Sequence, residues 1–568
     1  MKKDLRNLIL IYLGFVLVKT ILSYFIPSSR ALADDYNYLK MSESFFYHFS
    51  LKVHGIFTGQ FYPLYPILIS IAHIFQDNNL VYLAIKFINS ILSSLIIFPA
   101  YYLSKEFLSE KKSLLTAIFI SLLPANFALT SYIMAENLFY SLFLISIYFI
   151  YKSFKNEDYK IYFFAILFSL LALLTRIHGF ILIFLLIILF FVKALKKKFN
   201  FKYIFFILIT IISLFIWFFY FNETIYSLYI NRYVSLINFN LIIAFIIKFL
   251  SYLGFLLLGS GLILMLPLLI SFKINNKNFK LFRKISLVTI IISLFLATIH
   301  ALGSPRYYYA LGNLTLVSGR IIGRYVDFIL PLIVILNFIG LNYYFNNKIK
   351  TKLVKRFTII LTLIMTFTTS IILTPLVPFN NVSLTFLGAL RYLIDLIFYF
   401  KVSFEFGTTL ISFIILSLIF ISLPLINYYI LKKFDYRKFI SLLLAFTIIS
   451  SLISVAAVYY AARTSWYYNS EQRELALYLN DIDKKRAIVL IDERDGGDLG
   501  GPSYDPKALY VGTPKSKYTV LGYWLNDELI IGDIRDSKAD YIISTYKLNL
   551  NKLYSTTNGI YLYKNELK

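Results

Sequence analysis

Apolar runs of about 20 residues recur along most of the chain, and no other feature restricts its fold so severely. A bilayer core is roughly 30 Å thick, so a spanning helix needs about 20 mainly apolar residues. Inside lipid the backbone must satisfy its own hydrogen bonds, which leaves helices as the choice for runs of this length. Such runs begin near Leu8, Leu80, Ile204, Ile246, Ile285, Tyr325, Phe357, Thr408 and Phe439. Two longer stretches, 113–151 and 161–192, overshoot a bilayer at 1.5 Å per residue and read as helical hairpins. The first turns around Pro124-Ala125-Asn126 and the second around Arg176-Ile177-His178-Gly179. The spacing predicts an all-α polytopic membrane protein with about 13 transmembrane helices within residues 1–462. With 59% hydrophobic residues and a mean hydropathy of +0.72, the composition excludes an ordinary soluble domain.

Short loops rich in Lys and Arg stay in the cytoplasm. Here the positive clusters fall on every second loop: Lys2, Lys3 and Arg6; Lys105, Lys111 and Lys112; Lys152, Lys155 and Lys160; then 193–198, 273–284, 348–356 and 432–438. The expectation is a multi-pass protein of the cell membrane with a cytoplasmic N-terminus and an extracytoplasmic C-terminal domain, Asp34 and Asp35 lying outside. The first run is long and lacks a small-residue cleavage site, so it reads as a membrane helix and not a signal peptide. Dispersal over cytoplasmic loops also accounts for the formal net charge of +26. Without one basic, aromatic-bearing surface, nucleic acid is not an expected partner. Cysteine is absent, which removes disulfides and thiolate metal sites. Sequons at Asn222, Asn313 and Asn381 all fall in loops assigned to the outside.

From about Arg463 the apolar runs shorten and acidic residues become frequent. An amphipathic helix over 471–480 and short strands over 487–491, 539–544 and 560–563 predict a small α/β domain spanning 463–568. The Gly- and Asp-rich stretch 492–505 lacks both the EF-hand spacing and a terminal Glu, so it reads as a solvated loop.

The first outer loop, 27–66, opens with Asp34-Asp35-Tyr36-Asn37-Tyr38, continues with an amphipathic stretch over 38–49, and closes on Gly59-Gln60-Phe61-Tyr62-Pro63-Leu64-Tyr65-Pro66. Adjacent carboxylates suit the N-terminal cap of a short interfacial helix. They also suit proton transfer, because a neighbouring carboxylate and a lipid-facing site both raise the proton affinity of one member. The topology favours the second use.

The order of acidic pair, Tyr, amphipathic helix, Gly, Tyr-Pro-Leu-Tyr-Pro and membrane helix resembles the GT-C-fold glycosyltransferases that use polyprenyl-phosphate sugars. The protein O-mannosyltransferases and the lipid A aminoarabinose transferases look most similar. In those families an acidic pair heads the first outer loop with a Tyr a few residues on, and Asp34, Asp35 and Tyr38 match that pattern. The resemblance implies a GT-C-type membrane domain that moves a single sugar, with inversion, from a polyprenyl (dolichyl) phosphate donor to an acceptor on the outer face. Glycan, protein and lipid acceptors are all compatible with it. Aminoarabinose transferases often carry a Lys just before the proline-containing segment, whereas Phe61 and Tyr62 stand there in this chain.

Such a transfer needs a base for the acceptor proton and cations for the departing phosphate. Asp34 is the expected base, with Asp35 orienting or binding the acceptor. Arg176 and His178 sit in the outer turn of the second hairpin among apolar residues, where a charge is retained for a partner or snorkels to head groups. Arg320 and Arg324 precede an apolar run, and Gly-Arg-Tyr-Val-Asp-Phe-Ile-Leu-Pro (323–331) resembles the Arg-Tyr segment that many of these transferases place beside the lipid phosphate. Glu136 opens a helix at the outer face and looks like the second acidic position of the superfamily. Tyr38, His54 and Glu136 are thus candidates to support an acceptor or a metal. Asp34, Asp35 and Glu136, if convergent, suit a hard divalent cation such as Mg or Mn, and His48, His54 and His178 extend that set to Zn.

Two other functions compete. A transporter or lipid flippase shares the span count but calls for paired broken helices in repeated halves and ionisable groups near the midplane; the sequence carries no such repeat. Oligosaccharyltransferases of the same fold carry Trp-Trp-Asp-Tyr-Gly in the soluble domain, and Gly522-Tyr523-Trp524-Leu525-Asn526 does not match it.

Overall fold

In a computed structural model of the chain, the described residues are 3–26, 33–53, 56–57, 62–196, 204–215, 239–259, 265–302, 308–311, 314–318, 321–347, 351–372, 379–380, 393, 397, 410–464, 471–483, 487–492, 517–535, 539–557 and 559–566. His54, Arg320, the three sequons and the Gly- and Asp-rich stretch beyond Asp492 lie outside them.

Helix α1 (Lys3–Tyr24) is apolar on all sides, and only 17% of its apolar window is buried, as for a helix that faces lipid. The chain continues through α2 (Ala33–His48), an antiparallel ribbon pairing Lys52–Val53 with Ile56–Phe57, the short α3 (Leu64–Ile69) and α4 (Asn78–Ser94). Helix α2 begins earlier than the amphipathic stretch at 38–49 suggested, so Asp34 and Asp35 occupy its first turn. Carboxylates are favoured there by the helix macrodipole.

Among the described residues seven helices are long and apolar enough to cross a membrane. The number is eight if Glu110–Ser121 and Pro124–Ser131, bent by 59°, form one broken span. A multi-pass helical membrane protein is therefore the architecture. The expected total of about 13 spans also draws on shorter apolar helices such as Ile204–Phe215 and Ala244–Leu257. Both long stretches break where proposed. Pro124 starts a new helix at its first position, where a missing N–H removes no intrahelical bond. Tyr159–Leu173 and Phe180–Lys196 flank a single 3-10 turn at Ile177–Gly179.

Buried hydroxyls within these helices turn inward on their own backbone. Ser146, Ser169, Thr175, Ser286 and Thr289 each donate to the carbonyl four residues earlier, at 2.7 to 2.9 Å. Lipid offers them no alternative partner.

The chain divides into two compact units. One comprises residues 1–17, 92–129 and 136–457, and the other comprises 18–91, 130–135 and 458–568. The second contains a five-stranded sheet whose strands run, edge to edge, Lys552–Ser555, Tyr561–Lys564, Tyr541–Ser544, Ile488–Asp492 and Glu528–Gly532. Ile488–Asp492 is parallel to both neighbours and the remaining pairings are antiparallel. Leu490, Ala539, Ile542 and Tyr563 form its core. This mixed sheet and the helix Glu471–Ile482 make the expected small α/β body.

Within the same unit, α2 and α4 dock on the helix Lys517–Trp524. Asn78 Nδ2 donates to the Tyr523 and Leu525 carbonyls at 3.3 and 2.7 Å, and the Tyr82 hydroxyl donates to the Tyr523 carbonyl at 2.9 Å. The Tyr36 and Tyr523 rings lie 5.3 Å apart. A Cβ at Gly522 would run into the Tyr36 ring, so only glycine permits this approach. The Gly522-Tyr523-Trp524 segment thus anchors the first loop's helix.

Candidate active site

In the first unit, charges gather where three separate segments meet. Glu136 is the first residue of the helix Glu136–Asn156, and its side chain is fully buried. Arg176 comes from the turn before Ile177–Gly179. The chain must bend tightly there: the Arg176 amide donates to the Ala172 carbonyl at 3.0 Å, and a Cβ on Gly179 would collide with the Leu173 backbone. Arg324 belongs to the 3-10 turn Gly323–Tyr325. Arg176 pairs closely with Glu136 Oε1, and Arg324 approaches the same oxygen at 3.8 Å. Both guanidinium side chains are nearly buried, at 12% and 15% exposure.

Aromatic rings wall this cluster. The Arg324 guanidinium lies 5.8 Å from the Tyr325 ring, His178 stacks on Tyr325 at 5.4 Å, and His300 meets the same ring edge-on at 4.5 Å. Phe328 packs against Phe139, Phe143 and His178, closing the apolar side. The bundle therefore excludes water from an acid held by two cations, which strengthens every interaction among them.

Asp327 was not singled out from sequence. It is buried, and among the described residues neither of its carboxylate oxygens has a hydrogen-bond partner. The Tyr140 hydroxyl is similarly buried without one. An acidic residue three positions past Arg324, at the mouth of an apolar run, was the available signal. His300 gave none beyond its place near the end of the run Lys277–Leu302. The expected helix start at Tyr325 is also corrected: two 3-10 turns, Gly323–Tyr325 and Asp327–Ile329, precede the α-helix Leu330–Asn346.

In the second unit, Asp35 is fully buried and Asp34 partly exposed at the start of α2. Tyr38 is buried against Tyr65 of the Tyr-Pro-Leu-Tyr-Pro segment, with ring centroids 5.3 Å apart. The Tyr65 hydroxyl donates to Asn89 Oδ1 at 2.9 Å, and Asn89 Nδ2 donates to the Thr130 and Tyr132 carbonyls at 3.3 and 2.9 Å. Tyr38 thus begins a chain of contacts that fixes the helix of the acidic pair. His48 pairs with Glu528 at 3.2 Å.

Glu136, a candidate for acceptor or metal support, pairs with Arg176, and among the described residues no three His, Cys, Asp or Glu side chains are grouped to ligate a metal.

The helical bundle and small α/β body are shared with solved structures, and part of the chain matches a family model. Residues 63–221 match the family described as dolichyl-phosphate-mannose-protein mannosyltransferase. The structure of ArnT from Cupriavidus metallidurans in the apo state is similar at a TM-score of 0.54 and 10% identity, covering 99% of this chain and 98% of that one. The same protein bound to undecaprenyl phosphate gives a TM-score of 0.56 at 10% identity, covering 98% of each chain. No curated protein sequence matched the chain.

Proposed function

We propose that the protein is a membrane glycosyltransferase that moves one sugar from a polyprenyl-phosphate donor to an acceptor hydroxyl, on the face where Asp34 and Asp35 lie. The observation that carries this reading is the pair of arginines gathered on Glu136 within a GT-C bundle. Two guanidinium groups held nearly out of water are the side chains that suit a phosphate leaving group. Arg324 makes the looser carboxylate contact and has the fork geometry for bidentate phosphate binding. His178 and Tyr325 wall the same place, and Arg320 is retained as a further candidate. Similarity to a protein solved with undecaprenyl phosphate supports the donor class.

In this reading the acceptor oxygen attacks C1 of the sugar, the C1–O bond to phosphate breaks with inversion, and the acceptor proton passes to Asp34. Asp35, buried beside it, orients the acceptor. The arginines hold the negative charge that grows on the phosphate, and their charge is already fixed by Glu136, so little reorganisation is needed as the bond breaks. The basic loops assign the catalytic face to the outside.

Purified protein in lipid, given radiolabelled polyprenyl-phosphate mannose or glucose with envelope extract, tests the assignment. The variant Asp34→Asn is expected to fold and bind donor yet transfer nothing; undiminished transfer removes Asp34 as the base. Arg324→Lys is expected to weaken donor binding on the order of tenfold, because a point charge replaces a bidentate fork. Unchanged donor affinity reassigns Arg324 to anchoring. Donor crossing the bilayer without transfer would favour a flippase.

A further inference from the structure

The second unit contains a cavity of about 380 Å³ that the proposed transfer does not use. Its walls come from the end of α1 (Tyr24, Phe25, Ile26), the start of α4 (Asn79, Tyr82, Leu83, Lys86) and the C-terminal body (Arg473, Trp524). None of these lining residues is acidic and two are basic. Helix α1 ends and α4 begins where their apolar spans end and begin, so the cavity lies at the level of a membrane surface.

Lys86 is the unusual wall. It is buried to 5% exposure, and its ammonium donates to the Ile26 carbonyl at 2.6 Å and, more weakly, to the Ser23 carbonyl at 3.4 Å. Those are carbonyls at the C-terminal end of α1, which a cation caps favourably. An ammonium has three N–H donors, so one is left for a group in the cavity. Across the cavity the Arg473 guanidinium sits 4.7 Å from the Trp524 ring, a cation–π contact that fixes its plane. Apolar side chains adjoin the lining residues in the chain and are exposed: Ile21 and Tyr24 on α1, Phe25 just after it, and Leu80 and Phe87 on α4, each between 47% and 62%.

We infer that this cavity binds the phosphate head group of an anionic membrane lipid, whose chains lie along the exposed faces of α1 and α4. The volume suits a head group and not a whole lipid. Two cations with Tyr and Trp at an interface are the chemistry that selects an anionic head group. A soluble phosphate shares the charge but leaves the flanking apolar surface uncovered.

The full chain carries three tryptophans, and Trp524 becomes the sole reporter after Trp217→Phe and Trp466→Phe. In nanodiscs of phosphatidylcholine, brominated phosphatidylglycerol should quench Trp524 at a mole fraction on the order of tenfold lower than brominated phosphatidylcholine requires, a preference expected of two cations near an anionic head group. Arg473→Gln should remove most of that preference, and Lys86→Met the remainder. If Lys86→Met fails to fold, Arg473→Gln, which caps no helix, still decides. Equal quenching by the two lipids overturns the inference. So does a response of Trp524 to inorganic phosphate with no lipid preference, which would assign the cavity to a soluble anion.

Discussion

One helix carries two contrasting ion clusters, one at each end. At its start Glu136 meets Arg176 and Arg324; about 25 Å away, at 1.5 Å per residue, Lys152 and Lys155 near its end bind Glu106. Each cluster is one carboxylate between two cations. At the Glu106 end each lysine takes its own oxygen, all three side chains remain partly exposed, and neighbouring pairs such as Lys105 with Asp4 and Lys193 with Glu157 repeat the pattern. At the Glu136 end both arginines crowd one oxygen of a fully buried acid, with a further buried carboxylate, Asp327, close by in the chain. The first arrangement keeps contact with water, where salt screens it. The second holds its charges nearly out of water, which is costly unless a partner or a ligand offsets it.

Removing one partner from each end should separate the two roles. The largest effect is expected from Arg176→Ala, which leaves Glu136 buried beside only the looser Arg324; a loss of about 3–5 kcal/mol, read as a fall in thermal midpoint in detergent, follows from a broken buried pair. Adding Glu136→Gln to that variant should restore much of the loss. No destabilisation would place the Arg176 side chain in water.

Asp327→Leu should move stability the other way. Deleting a buried carboxylate that lacks hydrogen bonds is expected to stabilise by roughly 1–3 kcal/mol while lowering transfer, the trade common at functional sites. A lower midpoint would mean that the carboxylate is bonded, and unchanged transfer would take Asp327 out of the site.

Glu106→Gln should have the smallest effect, about 1 kcal/mol, because both lysines keep contact with water and salt. Burial pushes the Glu106 carboxyl up, but the Lys152 and Lys155 ammonium groups outweigh it and hold the carboxyl below its ordinary value. A carboxyl depressed in the folded state adds stability above its unfolded value, near 4.3, and loses it as pH falls through the folded value. The gap between wild type and variant should therefore be present at neutral pH and close in acid. A gap that widens in acid reverses the assignment.

The two ends were unequally legible. Lysine loops announce themselves by alternation, since the charge bias acts on each loop separately. Arg176 and His178 were readable because a tight turn with Gly179 interrupts a long apolar stretch, and Glu136 because it heads a helix. The acidic pair was readable in position, but its place in the first turn of α2 was not, because capping preference and catalytic use select the same residue type there. Asp327 and His300 escaped notice: each stands alone in an apolar stretch, and only the residues packed around it distinguish a site from a buried accident.

The sequence by itself determined that this is a multi-pass membrane chain, that its two long apolar stretches break near Pro124 and Gly179, and that a small sheet follows near the C-terminus. Those properties follow from length, hydropathy and local turn chemistry, which act over neighbouring residues. Only the tertiary structure decided that Glu136 captures Arg176 and Arg324, that Tyr38 and Asn89 brace the helix of the acidic pair, and that Lys86 and Arg473 face one cavity. Contacts between residues so distant along the chain depend on which helix faces pack together, and burial then decides whether a charge is screened by water or kept for a partner.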